Sequence, residues 1–318
     1  MSDDAMEVPP VRAVTLNGAG GLRAEDVAGP RWVQLDFASA EGKAWLRKDE
    51  RLSEAVCEAM LESESRPRAV AEKSGVLVVL RGVNLNPGSD LADMVSVRIW
   101  LEKDRIITAS RRRLQSLEDV LQSLREGKGP ETACDVLLAI IEQLGFYIGD
   151  VVEKAGERLE AAETDVNDPE VIVRSSPFSS LRRQSARIRR YLAPQRDALE
   201  RLSRNPDDLF LPDEAYELRE HANRFTLLLE ELDLVRERAL VAQEEFLGIL
   251  AHHQNQRMLV LAIVSAVFLP LSFLTGLMGM NVAGLPGMEN PWSFWILVGL
   301  MTTVAAGILL LFRIKKWL

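Results

Sequence analysis

The longest apolar patterns lie near the C-terminal end, where residues 258–279 and 292–312 run without a charged side chain. As helices, these 22 and 21 residues would rise roughly 33 and 31 Å, each enough to cross a hydrocarbon core of about 30 Å. Both are expected to span a membrane. Upstream the patterns are shorter. Residues 14–16, 32–35, 76–80, 95–100 and 105–108 are β-branched or alternating runs bounded by Gly, Asn, Asp or Pro, which predicts strands. Helical spacing between them covers 41–48, 53–62 and 116–125. The acidic, Pro-bearing start is expected to be disordered to about Arg12.

From Pro130 the texture becomes helical, with a first segment over 130–166 and a second over 178–204. Pro169, Pro177, Pro206 and Pro212 punctuate the connections. A third pattern then runs from Asp213 without a proline until Pro270. Leu218, Ala222, Phe225, Leu229, Leu232, Ala239, Phe246, Leu250 and His253 keep a heptad stripe along it, with gaps at Arg236 and Gln243. This predicts one stalk helix continuous with the first span, 67 residues over 213–279 and roughly 100 Å long. A lone rod of that length is unstable in water, so the stripe must pack on the preceding helices and on neighbouring copies. Three regions are expected: an α/β cytoplasmic domain (1–129), a cytoplasmic helical and stalk region (130–257) and a transmembrane hairpin (258–318).

Charge sets the orientation. The first residues are acidic and no apolar leader follows, so the soluble part is expected in the cytoplasm. Arg257 precedes the first span and Arg313, Lys315 and Lys316 follow the second, whereas the intervening loop has no basic residue. By the positive-inside rule both termini face the cytoplasm. The first 257 residues hold 35 basic and 46 acidic side chains, a net −11. That balance suits a cation handler or ordinary solubility and argues against nucleic acid as a partner. Cys57 and Cys134 form neither a disulfide framework nor a zinc knuckle.

Two helices per chain cannot enclose an aqueous path, so transport would require several copies around an axis. Stepping back from Asn281 by five residues to Gly276 and then by threes and fours gives Ser272, Leu269, Ser265, Leu261, Met258 and Asn255, a face that gathers both serines of the span. Such a face can line a pore. The serines have a second explanation, because Pro270 frees the carbonyl of Ala266 and a hydroxyl can help to repair the helix. Leu261 and Leu269 would form apolar rings of the kind that gate by dewetting. Gly279, Met280 and Asn281 end the span with a glycine suited to an unusual turn and an amide that both donates and accepts, and a helix C-cap is the plainer reading. Glu289 carries the loop's only charge and would attract cations.

The hairpin resembles that of the CorA-type metal ion transporters in Phe268-Leu269-Pro270-Leu271-Ser272-Phe273, Gly276, Gly279-Met280-Asn281 and the short basic tail. The resemblance implies a funnel-shaped homopentamer with the first span lining the pore and the Gly-Met-Asn loop as its outer selectivity mouth. It places Asn255, Met258, Leu261, Leu269, Ser272, Gly276 and Asn281 at pore-facing positions, the face that periodicity selects independently. The continuation Val282-Ala283-Gly284-Leu285-Pro286-Gly287 is similar to the zinc-transporter branch, ZntB. So are Arg31-Trp32-Val33-Gln34-Leu35-Asp36, Leu80-Arg81-Gly82-Val83-Asn84-Leu85-Asn86, and Met94 through Trp100 followed by Arg111-Arg112-Arg113-Leu114. Zinc uptake across a bacterial inner membrane, with proton coupling, is what this branch implies; magnesium or cobalt is the alternative cargo. No resident cofactor is expected.

Dehydrated zinc prefers His, Cys and carboxylate ligands, and neither span contains one, so a hydrated ion fits the residues better. The spans also lack an ionisable group that could relay protons. Other candidates are weaker. His252 and His253 suit the stalk or membrane interface better than a metal, and Glu153, Glu157, Glu160 and Glu163 read as a solvated helix surface. Arg111, Arg112 and Arg113 are too short a basic run to mark nucleic acid or anionic lipid. Asn17-Gly18-Ala19-Gly20-Gly21 lacks the Lys and Ser or Thr of a phosphate loop. No catalytic constellation emerges, although a membrane-anchored α/β enzyme or sensor remains the alternative of another class.

Overall fold

The computed structural model describes residues 8–24, 28–63, 66–165, 177–204, 210–280 and 290–315. It comprises a unit up to Gln243 and a second from Glu244. The first contains strands β1 (Val11–Leu16), β2 (Leu22–Arg23), β3 (Arg31–Asp36), β4 (Arg68–Glu72), β5 (Gly75–Gly82), β6 (Val95–Leu101) and β7 (Arg105–Ser110). Helices α1 (Ala40–Lys48) and α2 (Glu54–Leu61) follow β3; α3 (Gln115–Arg125), α4 (Ala133–Asp165) and α5 (Phe178–Ser203) follow β7. Helix α6 (Pro212–Met278) runs from the first unit into the second, and α7 (Ser293–Ile314) closes the described chain.

The strands form one sheet in the order β2-β1-β3-β7-β6-β5-β4, antiparallel throughout except where β3 pairs with β7. Both faces are covered, which is why residues 76–80 are continuously apolar rather than alternating. Val76, Val78, Leu80, Val97, Ile99 and Leu101 point into a core shared with α3 to α6. Leu77, Val79, Trp100, Ile107, Val33 and Leu35 point the other way, into a core with Leu46, Val56 and Met60 of α1 and α2. Strand period two thus splits one run between two cores.

Local chemistry sets the helix starts. Ser39 accepts from the Gly42 N–H at 2.9 Å, and Ser53 accepts from Val56 at 3.3 Å. At α4 the Thr132 hydroxyl accepts from the Asp135 N–H at 3.0 Å while the Asp135 carboxylate accepts from the Thr132 N–H at 2.9 Å. This reciprocal box starts the helix at Ala133 instead of Pro130. β4, which periodicity missed, is a short, largely exposed edge strand with Arg68 and Glu72 at its ends. Its turn into β5 requires Gly75, since a Cβ there would sit 2.2 Å from the Leu101 carbonyl oxygen.

One charged network is buried at the end of β6 and β7. Arg105 donates to Glu102 at 2.8 and 3.2 Å and pairs with Asp49, and the Trp100 indole N–H donates to Glu102 at 2.8 Å. Glu102 is only 3 % exposed, whereas Asp104, which pairs with Arg51 at its rim, is 65 % exposed. Replacing Glu102 with Ala leaves Arg105 and the Trp100 indole short of a partner inside the fold and is expected to cost about 3–5 kcal/mol. Asp104→Ala is expected to cost about 0–1 kcal/mol. Thermal unfolding of the two variants side by side checks the difference; equal midpoints would refute it.

Candidate functional site

Within the second unit the half-buried positions of α6 include Leu259, Ile263, Ala266, Val267, Pro270, Leu274 and Leu277. Those of α7 include Leu297, Met301, Val304, Ala305, Ile308 and Phe312. Both sets recur by threes and fours, a spacing that suits two helices laid side by side. Asn255, Met258, Leu261, Ser265, Leu269, Ser272 and Gly276 are all exposed, Leu261 at 67 % and Leu269 at 71 %. At about 100° per residue, the centre of this set lies roughly 140° around α6 from the half-buried stripe. The face selected by periodicity is therefore one that the hairpin leaves uncovered.

The backbone of this face is intact. α6 continues through Pro270 to Met278. The Ser265 hydroxyl donates to the Leu261 carbonyl at 2.8 Å. Its one proton is therefore not used on the Ala266 carbonyl that Pro270 frees, and the repair explanation fails for this serine. Thr275 donates to the Ser272 carbonyl at 3.0 Å, and on α7 Thr302 and Thr303 donate to Val298 and Gly299 at 2.8 Å. Hydroxyls tied to their own helix are compatible with hydrocarbon surroundings.

The Gly279 N–H still bonds to the Thr275 carbonyl at 2.9 Å, extending the helical ladder past Met278. The left-handed glycines among the described residues are Gly18, Gly20, Gly88 and Gly127, so Gly279 itself is not left-handed. Met280 is exposed, while Asn281 and Glu289 lie outside the described residues. Just before α7 the Asn290 side chain accepts the Trp292 N–H at 3.0 Å, and Trp292, Phe294 and Trp295 stand exposed around that end. This is the placement of aromatic side chains at a membrane–water boundary. Among the described residues, the apolar stretches of α6 and α7 are long and apolar enough to cross a membrane.

In the first unit α6 carries two stripes. Leu218, Ala222, Phe225, Leu229, Leu232, Val235, Ala239 and Ala242 are buried. Val235 and Ala242 fill the gaps that the heptad pattern leaves at Arg236 and Gln243. On roughly the opposite side, Leu227, Leu234 and Val241 recur every seven residues and are 59, 54 and 59 % exposed. An apolar heptad stripe in water calls for another helix.

The remaining candidates are dispersed. His252 lies within 2.9 Å of the Gln256 amide nitrogen and is exposed. Glu153, Glu157 and Glu160 are exposed, and Glu163 pairs with Arg238 at 2.5 Å. The Asn17 carboxamide accepts the N–H groups of Ala19 and Gly21, so that loop is a closed turn. Burial pushes the Cys134 thiol up, which makes it inert. Among the described residues no three His, Cys, Asp or Glu side chains are grouped to hold a metal ion.

Residues 27–316 match the family model described as CorA-like Mg2+ transporter protein. The chain is 40% identical to the divalent cation transporter CmaX of Pseudomonas aeruginosa over 90% of its length and 87% of the relative's. It is 29% identical to the zinc transport protein ZntB of Pectobacterium carotovorum over 97% and 96% of the two chains. The solved structure of the full-length CmaX protein superposes with a TM-score of 0.82 at 37% identity, covering 98% of each chain.

The uncovered face of α6 can be probed by single cysteines in a Cys57→Ser, Cys134→Ser background. A charged, water-borne thiol reagent is expected to modify Ser265→Cys and Ser272→Cys and to spare Ile263→Cys and Leu274→Cys. Labelling of the second pair with protection of the first would reverse the assignment.

Proposed function

The chain belongs to the CorA-like Mg2+ transporter protein family, and we propose that it carries divalent metal cations across a bacterial inner membrane, with zinc uptake as its principal activity. The observation that carries this reading is the uncovered α6 face, bearing Ser265 and Ser272 and ending at Gly279 and Met280 just before Asn281. Several copies place this face around an axis, and the exposed Leu227, Leu234 and Val241 stripe supplies an apolar surface on which a second copy can pack. Five copies is the number that the family resemblance implies. Both termini lie in the cytoplasm in this reading, from the basic residues flanking the spans.

The pathway works on a hydrated ion. Hydroxyls at Ser265 and Ser272 and the amide of Asn281 exchange hydrogen bonds with the ion's water shell, while Leu261 and Leu269 set apolar constrictions that wet or dewet. Zinc is favoured by the likeness to ZntB along 97% of the chain and by the Val282-Ala283-Gly284 continuation after Asn281. Magnesium or cobalt is the second reading, because a hydrated path without His, Cys or carboxylate ligands has no intrinsic preference for zinc.

Purified protein in liposomes is expected to pass zinc, and Asn281→Ala to reduce that flux at least several-fold with the oligomer intact. Magnesium flux without zinc flux would replace the cargo, and unchanged flux in Asn281→Ala would remove the amide from the mouth. Proton coupling is expected to show as faster zinc entry when the side of supply is the more acidic.

A further inference from the structure

In sequence, Arg111 and Arg112 belong to a basic run too short to mean much in an acidic body. The fold changes their company. They follow the end of β7 beside Arg81 of β5, while α5 contributes Arg187 and Arg190 and the segment before β4 contributes Arg66; all six line one cavity of about 810 Å³. Asp93 is the acidic residue in the same wall, and Arg187 already engages it together with Asp90, the latter at 2.6 Å. Among the described residues, Arg66, Arg111, Arg112 and Arg190 have no carboxylate within ion-pair distance.

Arg81 and Arg187 are held in place by neighbours of known chemistry. Arg81 donates to the Met94 carbonyl at 2.9 Å and lies over the Tyr191 ring, 4.1 Å from its centroid, with Arg190 at 5.7 Å from the same ring. Nearby, the fully buried Arg98 stacks on Phe37 at 4.0 Å. Its pKa is lowered to about 10, first by burial and then by the charge of Arg81. Like charges gathered in one concavity repel unless an anion offsets them, and the cavity focuses their field. Solubility gives no reason for such a cluster, because the body is already acidic.

We propose that this cavity binds a small, multiply charged phosphate anion, with Arg111, Arg112 and Arg190 contacting the phosphate oxygens. Guanidinium groups present paired N–H donors that match phosphate bidentately. Tyr191 and Phe37 are engaged by Arg81 and Arg98, so recognition falls on the phosphate chain and not on a stacked base. Inorganic triphosphate and ATP are therefore expected to bind alike.

Isothermal titration of the full chain in detergent, free of divalent metal and at about 150 mM salt, tests this with inorganic triphosphate, ATP and sulfate. One triphosphate or ATP per chain is expected, with sulfate much weaker. Arg111→Glu with Arg112→Glu, and separately Arg190→Glu, are expected to weaken triphosphate at least about tenfold, while Arg158→Glu on α4, which does not line the cavity, leaves it unchanged. All three positions are exposed, and unchanged thermal midpoints without ligand show that the variants fold. Absence of saturable binding by triphosphate, equal binding of sulfate, or wild-type affinity in the folded Arg variants would each overturn the proposal. Binding of ATP without triphosphate would overturn it as well, because the base would then carry recognition.

Discussion

A cation crossing about 30 Å of hydrocarbon needs a lined, hydrated path, and two helices have too little surface to enclose one. That constraint orders the second unit. One side of α6 must face its hairpin partner, and another must stay free to meet copies of itself around water. The half-buried stripe through Ile263, Pro270 and Leu274 and the exposed set through Leu261, Ser265 and Ser272 satisfy those separate demands on one helix. Since Ser265 spends its proton on Leu261, its oxygen lone pairs are what it can offer to water along the path.

The same helix meets a second constraint in the first unit. Its Leu218 to Ala242 stripe is buried in the chain's own core, whereas Leu227, Leu234 and Val241 remain in water. Burial of one stripe explains how so long a helix holds within a single chain. The other stripe has no such role, and its seven-residue repeat is the geometry by which helices of separate chains interlock. The proposed assembly thus has two supports, the path in the hairpin and the apolar surface on the stalk.

Much of this was legible because it lies along single elements. The spans, the buried stripe and the uncovered face all follow from period 3.6 on one helix, and β5 to β7 from short apolar runs. The heptad approximation erred where an α-helix drifts by about 20° per heptad, which is why Val235 and Ala242 replace Arg236 and Gln243 on the buried side. β4 was illegible because its five residues, Arg-Ala-Val-Ala-Glu, are too short and too poor in β-branched side chains to signal a strand, and its identity comes from pairing with β5. The α4 start was misplaced because the Thr132–Asp135 box outweighs Pro130 as a start signal. The arginine cavity could not be read at all, since its members come from residues 66, 81, 111, 112, 187 and 190 and converge only through the sheet and α5.

The distribution of charge constrains where a metal could be chosen. The spans contain no carboxylate, imidazole or thiol, so an ion that exchanged its water for protein ligands there would meet only hydroxyls, carbonyls and amides. Such hard, neutral oxygen donors do not favour zinc over magnesium, whose preferences diverge chiefly at nitrogen and sulfur. In the proposed path, constrictions at Leu261 and Leu269 would act on wetting, and wetting does not read the identity of a divalent ion. Discrimination in that proposed path would therefore come from how firmly each ion keeps its waters at the mouth assigned to Asn281, or from the acidic soluble body before the hairpin is reached.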